Sequence, residues 1–271
     1  MRIAHLSDLH FGRIAYPEIV DALLAEIERS DVDLVAISGD LTQRALPTQY
    51  REAARMLASL RVPSIVVPGN HDVLAWWRPV SRIVRPLSRY HRYISNDLTT
   101  SFENETVAVL GINSAHGGTI KGGRISRRSR EAIRSFFIGR PATTFKTLVV
   151  HHQLTSIDAL LPHDVARGGA AALDVARQVG VDLILCGHLH VSHVESLKRT
   201  PENGRLVIAS AGTVTSDRGR RTNRNKNYYN LIDILSDHFI VTERCYDVTR
   251  HVFVDIKSTR FDRETIADSA S

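Results

Sequence analysis

Six short apolar, β-branched runs recur through the first 190 residues, and polar motifs follow five of them directly. The runs are RIAHLS (2–7), DLVAIS (33–38), SIVVP (64–68), TVAVLGI (106–112), KTLVVH (146–151) and VDLILCG (181–187). Being short and apolar without alternation, they read as strands buried on both faces. Between them lie segments with apolar residues at helical spacing: PEIVDALLAEIER (17–29), PTQYREAARMLASL (47–60), SRRSREAIRSFF (126–137) and GGAAALDVARQVG (168–180). The first two open on proline, which suits the first turn of a helix. In the last third, VSHVESL, RLVIAS, YYNLIDIL, HFIVTERCYDV and VFVDI read as strands joined by turns. The expectation is an α/β fold with a layered sheet core flanked by helices and a β-rich C-terminal half. Residues 1–257 are expected to form one domain, followed by a frayed polar tail over 258–271.

A chain of 271 residues can bury a substantial core. No apolar run approaches the length of a membrane span, and the sequence opens directly into its first strand-like run without an apolar leader. Two cysteines, Cys186 and Cys245, are too few for a disulfide framework, which points to the cytoplasm. The net charge of +6 favours an anionic partner: a phosphate ester, a nucleic acid or an acidic membrane surface.

The polar motifs narrow that choice. Asp8 and His10 follow the first run (SDLH), and Asp40 follows the second (SGD). Asn70, His71 and Asp72 follow the third (PGNHD), His151 ends the fifth, and His188 and His190 follow the sixth (GHLH). All lie at strand C-terminal ends, the edge at which open α/β sheets bind ligands. Alone, each motif has an ordinary reading as a turn, a helix cap or a hydrogen-bonded core histidine. Five at successive strand ends argue for a shared site. Oxygen and imidazole donors without thiolate suit Mn, Fe or Zn. Seven ligands are too many for one tetrahedral ion but suit two metals sharing a carboxylate, with Asp40, alone on its loop, as the natural bridge. Glycines before Asp40, Asn70 and His188 allow sharp turns behind a crowded site. His5, within the first strand, and Cys186 read as core residues.

In this order, DLH, GD, GNHD, HH and GHLH resemble the signature blocks of calcineurin-like metallophosphoesterases. The resemblance implies a β-sandwich core of two mixed sheets and two divalent metal ions. One would be held by Asp8, His10, Asp40 and His190, the other by Asp40, Asn70, His151 and His188. His151 is preferred to His152 because it directly ends its apolar run. The resemblance also implies that His71 protonates the leaving oxygen and that Asp72 orients His71. The wording GDLT and VPGNHDV is similar to the bacterial cyclic-nucleotide phosphodiesterase branch, from which TQRALPTQY, after GDL, departs.

Residues 73–97 then form a basic insertion. Arg78, Arg82, Arg85, Arg89 and Arg92 recur at helical steps beside Trp76, Val80, Ile83, Leu87, Tyr90 and Ile94. Pro79 can open a helix and Pro86 should break it, so two short helices or a kinked hairpin are expected. The bland reading packs the apolar face on the domain and leaves the arginines in solvent. The functional reading makes a cap in which Arg78 and Arg82 bind substrate phosphate while the tryptophans stack on a base or enter a membrane interface. Two further basic stretches, 121–130 and 218–226, join the same mouth, the second as a mobile loop. His116 and His152 are further candidates for contact with a phosphate oxygen.

The leading functional expectation is a cytoplasmic phosphodiesterase acting on a small diester or diphosphate nucleotide. The alternatives are a peripheral-membrane pyrophosphatase on a UDP-linked lipid, a nuclease, and an inactive scaffold. A nuclease lacks an evident docking region, and a scaffold has no need of a full ligand set.

Overall fold

The computed structural model describes residues 1–157, 163–198 and 205–263. In chain order the first half contains β1 (Arg2–Leu6), α1 (Ile19–Arg29), β2 (Leu34–Ile37), α2 (Pro47–Ala58), β3 (Ser64–Val66), α3 (Pro79–Val84), α4 (Ser88–Tyr93), β4 (Thr99–Glu103), β5 (Val107–Ile112) and α5 (Arg127–Phe137). The second half contains β6 (Phe145–Val149), α6 (Gly169–Gln178), β7 (Leu183–Cys186), β8 (His193–Lys198), β9 (Arg205–Ser210), β10 (Tyr228–Ile234), β11 (His238–Asp247) and β12 (Val252–Asp262).

Two six-stranded mixed sheets result, ordered β12-β11-β10-β1-β2-β3 and β4-β5-β6-β7-β9-β8. Within the first, β1, β2 and β3 run parallel, while β10, β11 and β12 add antiparallel neighbours. Within the second, β5, β6, β7 and β9 are parallel, and β4 and β8 close the edges antiparallel. The sheets pack face to face. Ile3, Leu34 and Ile65 of one meet Val107, Phe145 and Leu183 of the other in a buried layer. Alternate residues turn outward: Ala4, Val35 and Ile37 pack with Leu23 of α1 and Tyr50 of α2, whereas Leu148 and Ile184 pack with α5 and α6. Burial on both faces explains why these strands read as unbroken apolar runs, each large side chain contributing about 2 kcal/mol.

Two expectations are corrected. β12 continues through Asp262, with Ser258 opposite Thr242 and Asp262 opposite His238, so 258–262 is paired strand rather than frayed tail. Its polar side chains are mostly exposed because this is an edge strand with one solvated face. β4, TTSFE, was not expected. Its alternating, half-exposed residues carry little apolar signal, and pairing with β5 across a turn held by Asn104 makes it a strand.

The insertion forms two short helices, as the prolines suggest. Pro79 occupies the first turn of α3, and Arg85, ahead of Pro86, leaves helical geometry (φ −140°, ψ 60°).

Candidate metal centre

All five motif-bearing loops converge at the C-terminal ends of β1, β2, β3, β6 and β7. Asp8 Oδ1, His10 Nε2, Asp40 Oδ2 and His190 Nε2 are buried, and one ligand atom from each lies within 4.8 Å of all the others. His10 Nε2 is 3.6 Å from Asp8 Oδ1 and 3.7 Å from Asp40 Oδ2, and His190 Nε2 is 3.1 Å from Asp8 Oδ1. On the other side of Asp40, His151 Nε2 lies 3.5 Å from Oδ2 and 3.2 Å from Asn70 Oδ1. His188 Nδ1 is 3.0 Å from the same amide oxygen. Asp40 Oδ2 therefore belongs to two nests at once.

The donor atoms fit divalent cations. Asp8 Oδ1 and Asp40 Oδ2 are buried without a hydrogen-bond donor, although imidazole nitrogens surround them. Buried anionic oxygens left without donors are costly unless a cation meets them. The imidazoles are fixed from behind: His151 Nδ1 donates to the Ser38 carbonyl at 2.7 Å and His190 Nδ1 to the Arg218 carbonyl at 2.8 Å. Each leaves Nε2 facing the nest, the usual outer support for a ligating histidine.

Electrostatics agree with that arrangement. Burial opposes ionisation of Asp8 and Asp40, yet the neighbouring histidines, His190 for Asp8 and His151 for Asp40, hold both carboxyls well below their ordinary range. Burial pushes His10 down to about 4 and His188 down to about 3, which keeps both neutral and able to ligate. Burial also opposes charge on His151, but Asp40 outweighs it and raises His151 to about 9.

Local backbone geometry shows how tightly the rim is built. Asp8, His10, Asp40, His188 and His190 all have left-handed φ, between 50° and 70°. Each such non-glycine residue stores roughly 1 kcal/mol or more, and strain of this kind clusters at functional sites. Gly39 has φ 93°, as expected for a sharp turn. At Gly69 and Gly187 the reason is space instead. A Cβ on Gly69 would strike Asp40 Oδ1 and its backbone nitrogen, and one on Gly187 would strike Ser7 Oγ.

The model of the calcineurin-like phosphoesterase family matches residues 1–192, which contain every one of these ligands. The chain belongs to that family. Among relatives, a glycerophosphodiester phosphodiesterase, GpdQ, of Enterobacter lignolyticus is 30% identical over 138 residues, covering 45% of this chain and 46% of its own length. A 3′,5′-cyclic adenosine monophosphate phosphodiesterase, CpdA, of Escherichia coli is 25% identical over 202 residues, 73% of this chain and 66% of its own. The matches thus span less than two thirds of either relative. A dimetal phosphatase from Danio rerio superposes with a TM-score of 0.65 at 12% identity, over 97% of this chain and 99% of the other. That likeness is one of fold.

Around the nests of this calcineurin-like chain the remaining candidates separate. His71 lines the cavity over the metal nests. Its backbone N–H donates to Asp40 Oδ1 at 2.8 Å, and its Nδ1 donates to the Gln43 carbonyl at 2.7 Å. Asp72 does not hold the His71 ring. Its carboxylate accepts from the backbone N–H groups of Leu41, Thr42 and Gly69 and from the Thr42 hydroxyl, tying the β2 and β3 loops together. The reason is the tight 3₁₀ turn over Asn70–Asp72, after which Asp72 points back into the protein. Burial, then the charge of Asp40, raises Asp72 to about 7.

His152 lies beside His151 and His188, but both its ring nitrogens are engaged. Nε2 donates to the Lys121 carbonyl at 2.9 Å, and Nδ1 meets Ser114 Oγ at 2.7 Å. With its ring so occupied, it supports the loop instead of facing substrate. Arg82 is likewise corrected from phosphate ligand to buried clamp, donating to the carbonyls of Leu74, Gly117 and Thr119. Arg78 is exposed and His116 accepts from the Gly118 N–H; neither lines the cavities at the rim. His5 is a core residue, bonded to Ser38 Oγ and Asn230 and pushed down to about 3 by burial. Cys186 is buried, with its thiol donating to Gln153.

Sequence reasoning missed several contributors. Thr213 and Thr215 donate to the carbonyls of Asp8 and Leu9, each at 2.6 Å, and so brace the strained SDLH turn. Their segment, AGTVTSD, follows β9 and is one more polar strand end, which is the signal that could have revealed it. The 218–226 stretch is anchored rather than loose. It contains a 3₁₀ turn at Arg221–Asn223, and Arg218 donates to Gln43 Oε1 at 3.2 Å while its carbonyl holds His190.

Proposed function

We propose that this protein is a two-metal phosphoesterase that hydrolyses a phosphodiester or diphosphate bond of a small nucleotide-type substrate. The observation that carries the reading is Asp40 Oδ2, buried without a donor and shared between the His10 and His151 nests. Asp8, His10, Asp40 and His190 would hold one divalent ion, and Asp40, Asn70, His151 and His188 the other. When bound, such a pair supplies Lewis-acid activation of water and neutralises charge developing at phosphorus.

The chain's own groups do the rest. With Nδ1 committed to the Gln43 carbonyl, His71 has Nε2 left to hand a proton to the leaving oxygen. Its backbone bond to Asp40 fixes the proton donor relative to the bridging carboxylate. Lys121 and Arg218 line the cavity over the nests and balance the charge of a bound phosphate. Asp72 and Gln43 are positioning residues. Family membership supports the reaction class, and the activities named for GpdQ and CpdA make a diester the first choice.

The test is hydrolysis by protein reconstituted with Mn, Fe or Zn against a cyclic nucleotide, a UDP-linked lipid, an aryl diester, an aryl monoester and single-stranded DNA. Cleavage of a diester or diphosphate, lost in Asp40→Ala, is expected. No hydrolysis of any substrate with any of the metals would remove the reading.

One observation favours a second reading, a peripheral-membrane pyrophosphatase. Trp76 and Ile120 are exposed on the second cavity's wall, Val80, Ile83 and Val84 are exposed on α3, and residues 73–96 contain no acidic side chain. An apolar patch set in a basic segment suits an anionic lipid surface. No helix of the described residues is long and apolar enough to cross a membrane. Sedimentation with anionic vesicles at low salt, compared with a Trp76→Ser, Trp77→Ser variant, decides it: no binding by the unmodified protein ends this reading.

A further inference from the structure

Beside the metal nests lies a second cavity of about 490 Å³, compared with about 260 Å³ for the first. We propose that it binds the leaving group, and that it is built for a flat aromatic ring carrying a further negative charge, as in a nucleoside phosphate. The inference rests on the reading of His71 as proton donor. His71 stands on the wall between the cavities, which also share Asn70, Lys121 and Arg218. A group protonated by His71 as it departs leaves on the His71 side, away from the nests, and the second cavity opens there.

The lining sets the chemistry. Val73, Trp76, Trp77 and Ile120 form an apolar wall, and Arg44, Lys121 and Arg218 supply cations beside the carbonyl-bound Arg82, with no carboxylate among the described lining residues. The Arg44 guanidinium stands 5.9 Å from the Trp77 ring centroid, so ring surface and positive charge meet at one place. Arg218 has a buried Nε without a hydrogen-bond partner. A glycerol-type leaving group offers neither a ring for Trp77 nor a charge for Arg44. A nucleoside phosphate offers both.

The wall is a built structure. Arg82 holds the carbonyls of Gly117 and Thr119, Asn70 Nδ2 donates to the Ile120 carbonyl at 3.3 Å, and His152 holds that of Lys121. Four backbone groups in the 117–121 loop are thereby fixed, and the side chains of Ile120 and Lys121 line the cavity. The loop is also tied to Asn70, whose Oδ1 faces His151 and His188, so pocket shape and metal rim share one support.

Both tryptophans of the chain line this cavity, so tryptophan emission reports on it alone. The experiment titrates the full chain, chelated free of metal and again with Mn²⁺, with AMP, glycerol 3-phosphate and inorganic phosphate. AMP should quench saturably, and the other two at equal concentration should not. By calorimetry, Trp77→Leu should bind AMP about tenfold more weakly. Arg44→Gln should weaken AMP about threefold and leave adenosine unchanged. Equal affinity for glycerol 3-phosphate and AMP, or unchanged AMP affinity in Trp77→Leu, would overturn the proposal. These readings need no turnover, so they stand or fall apart from the Asp40→Ala hydrolysis assay.

Discussion

The two short helices of the 73–97 insertion, α3 and α4, have the same length and similar ingredients but opposite orientation. α4 and the residue before it turn Leu87 and Tyr90 into the core, where the Tyr90 hydroxyl donates to the Val66 carbonyl. α3 turns Val80 and Ile83 outward, at 74% and 73% exposure, and buries Arg82 at 7%. The expected packing of the apolar face thus holds for α4 and is reversed for α3. What differs is the surface beneath each helix. α4 lies over apolar side chains, whereas α3 lies over the carbonyls of Leu74, Gly117 and Thr119, which need donors. A guanidinium with five N–H groups satisfies three carbonyls at once, and an isoleucine satisfies none. Periodicity therefore identifies a two-faced helix without saying which face is inside. The metal rim behaves differently again: polar ligands point inward from strained backbone because a cation would repay their burial.

These contrasts can be broken experimentally. The largest effect is expected at the rim. Asp40→Ala removes the ligand shared by both nests and should lower hydrolysis by about 10³-fold, several kcal/mol of transition-state stabilisation. Metal content by mass spectrometry should fall at both positions, and loss at one alone would show that Asp40 does not bridge. Next comes the α3 clamp. Arg82→Met leaves three carbonyls without donors and should cost about 3 kcal/mol in urea denaturation. An unchanged midpoint would mean that the carbonyls do not set the orientation of α3. Leu87→Ala, which opens a cavity beneath α4, should cost about 2–3 kcal/mol. The smallest effect is reserved for the outward face: Val80→Ser with Ile83→Ser should change stability by less than about 0.5 kcal/mol. A loss as large as that of Leu87→Ala would place those side chains in contacts beyond those described within this chain.

Much of the centre was legible because its signals are local. A strand end is marked by where an apolar run stops, and the polar motif that follows sits at the sheet edge whatever the rest of the chain does. For that reason Asp8, His10, Asp40, Asn70, His151, His188 and His190 could be named together. Locality does not separate His151 from His152, which lie in one cluster with His188. Their partners differ: the ring of His152 turns to Ser114 and Lys121.

Legible from sequence were the apolar strands and the helices between them, the five loops that meet at one rim, and the break of the 73–97 insertion at Pro86. Tertiary structure alone decided the partners. The ring of His71 is held by the Gln43 carbonyl rather than by Asp72, Arg82 faces inward, β12 runs on to Asp262, and 218–226 is pinned through His190 and Gln43. Each of these depends on a backbone donor or acceptor brought near from far along the chain. A backbone carbonyl looks the same in every residue type, so the sequence holds no mark of which one will need a donor.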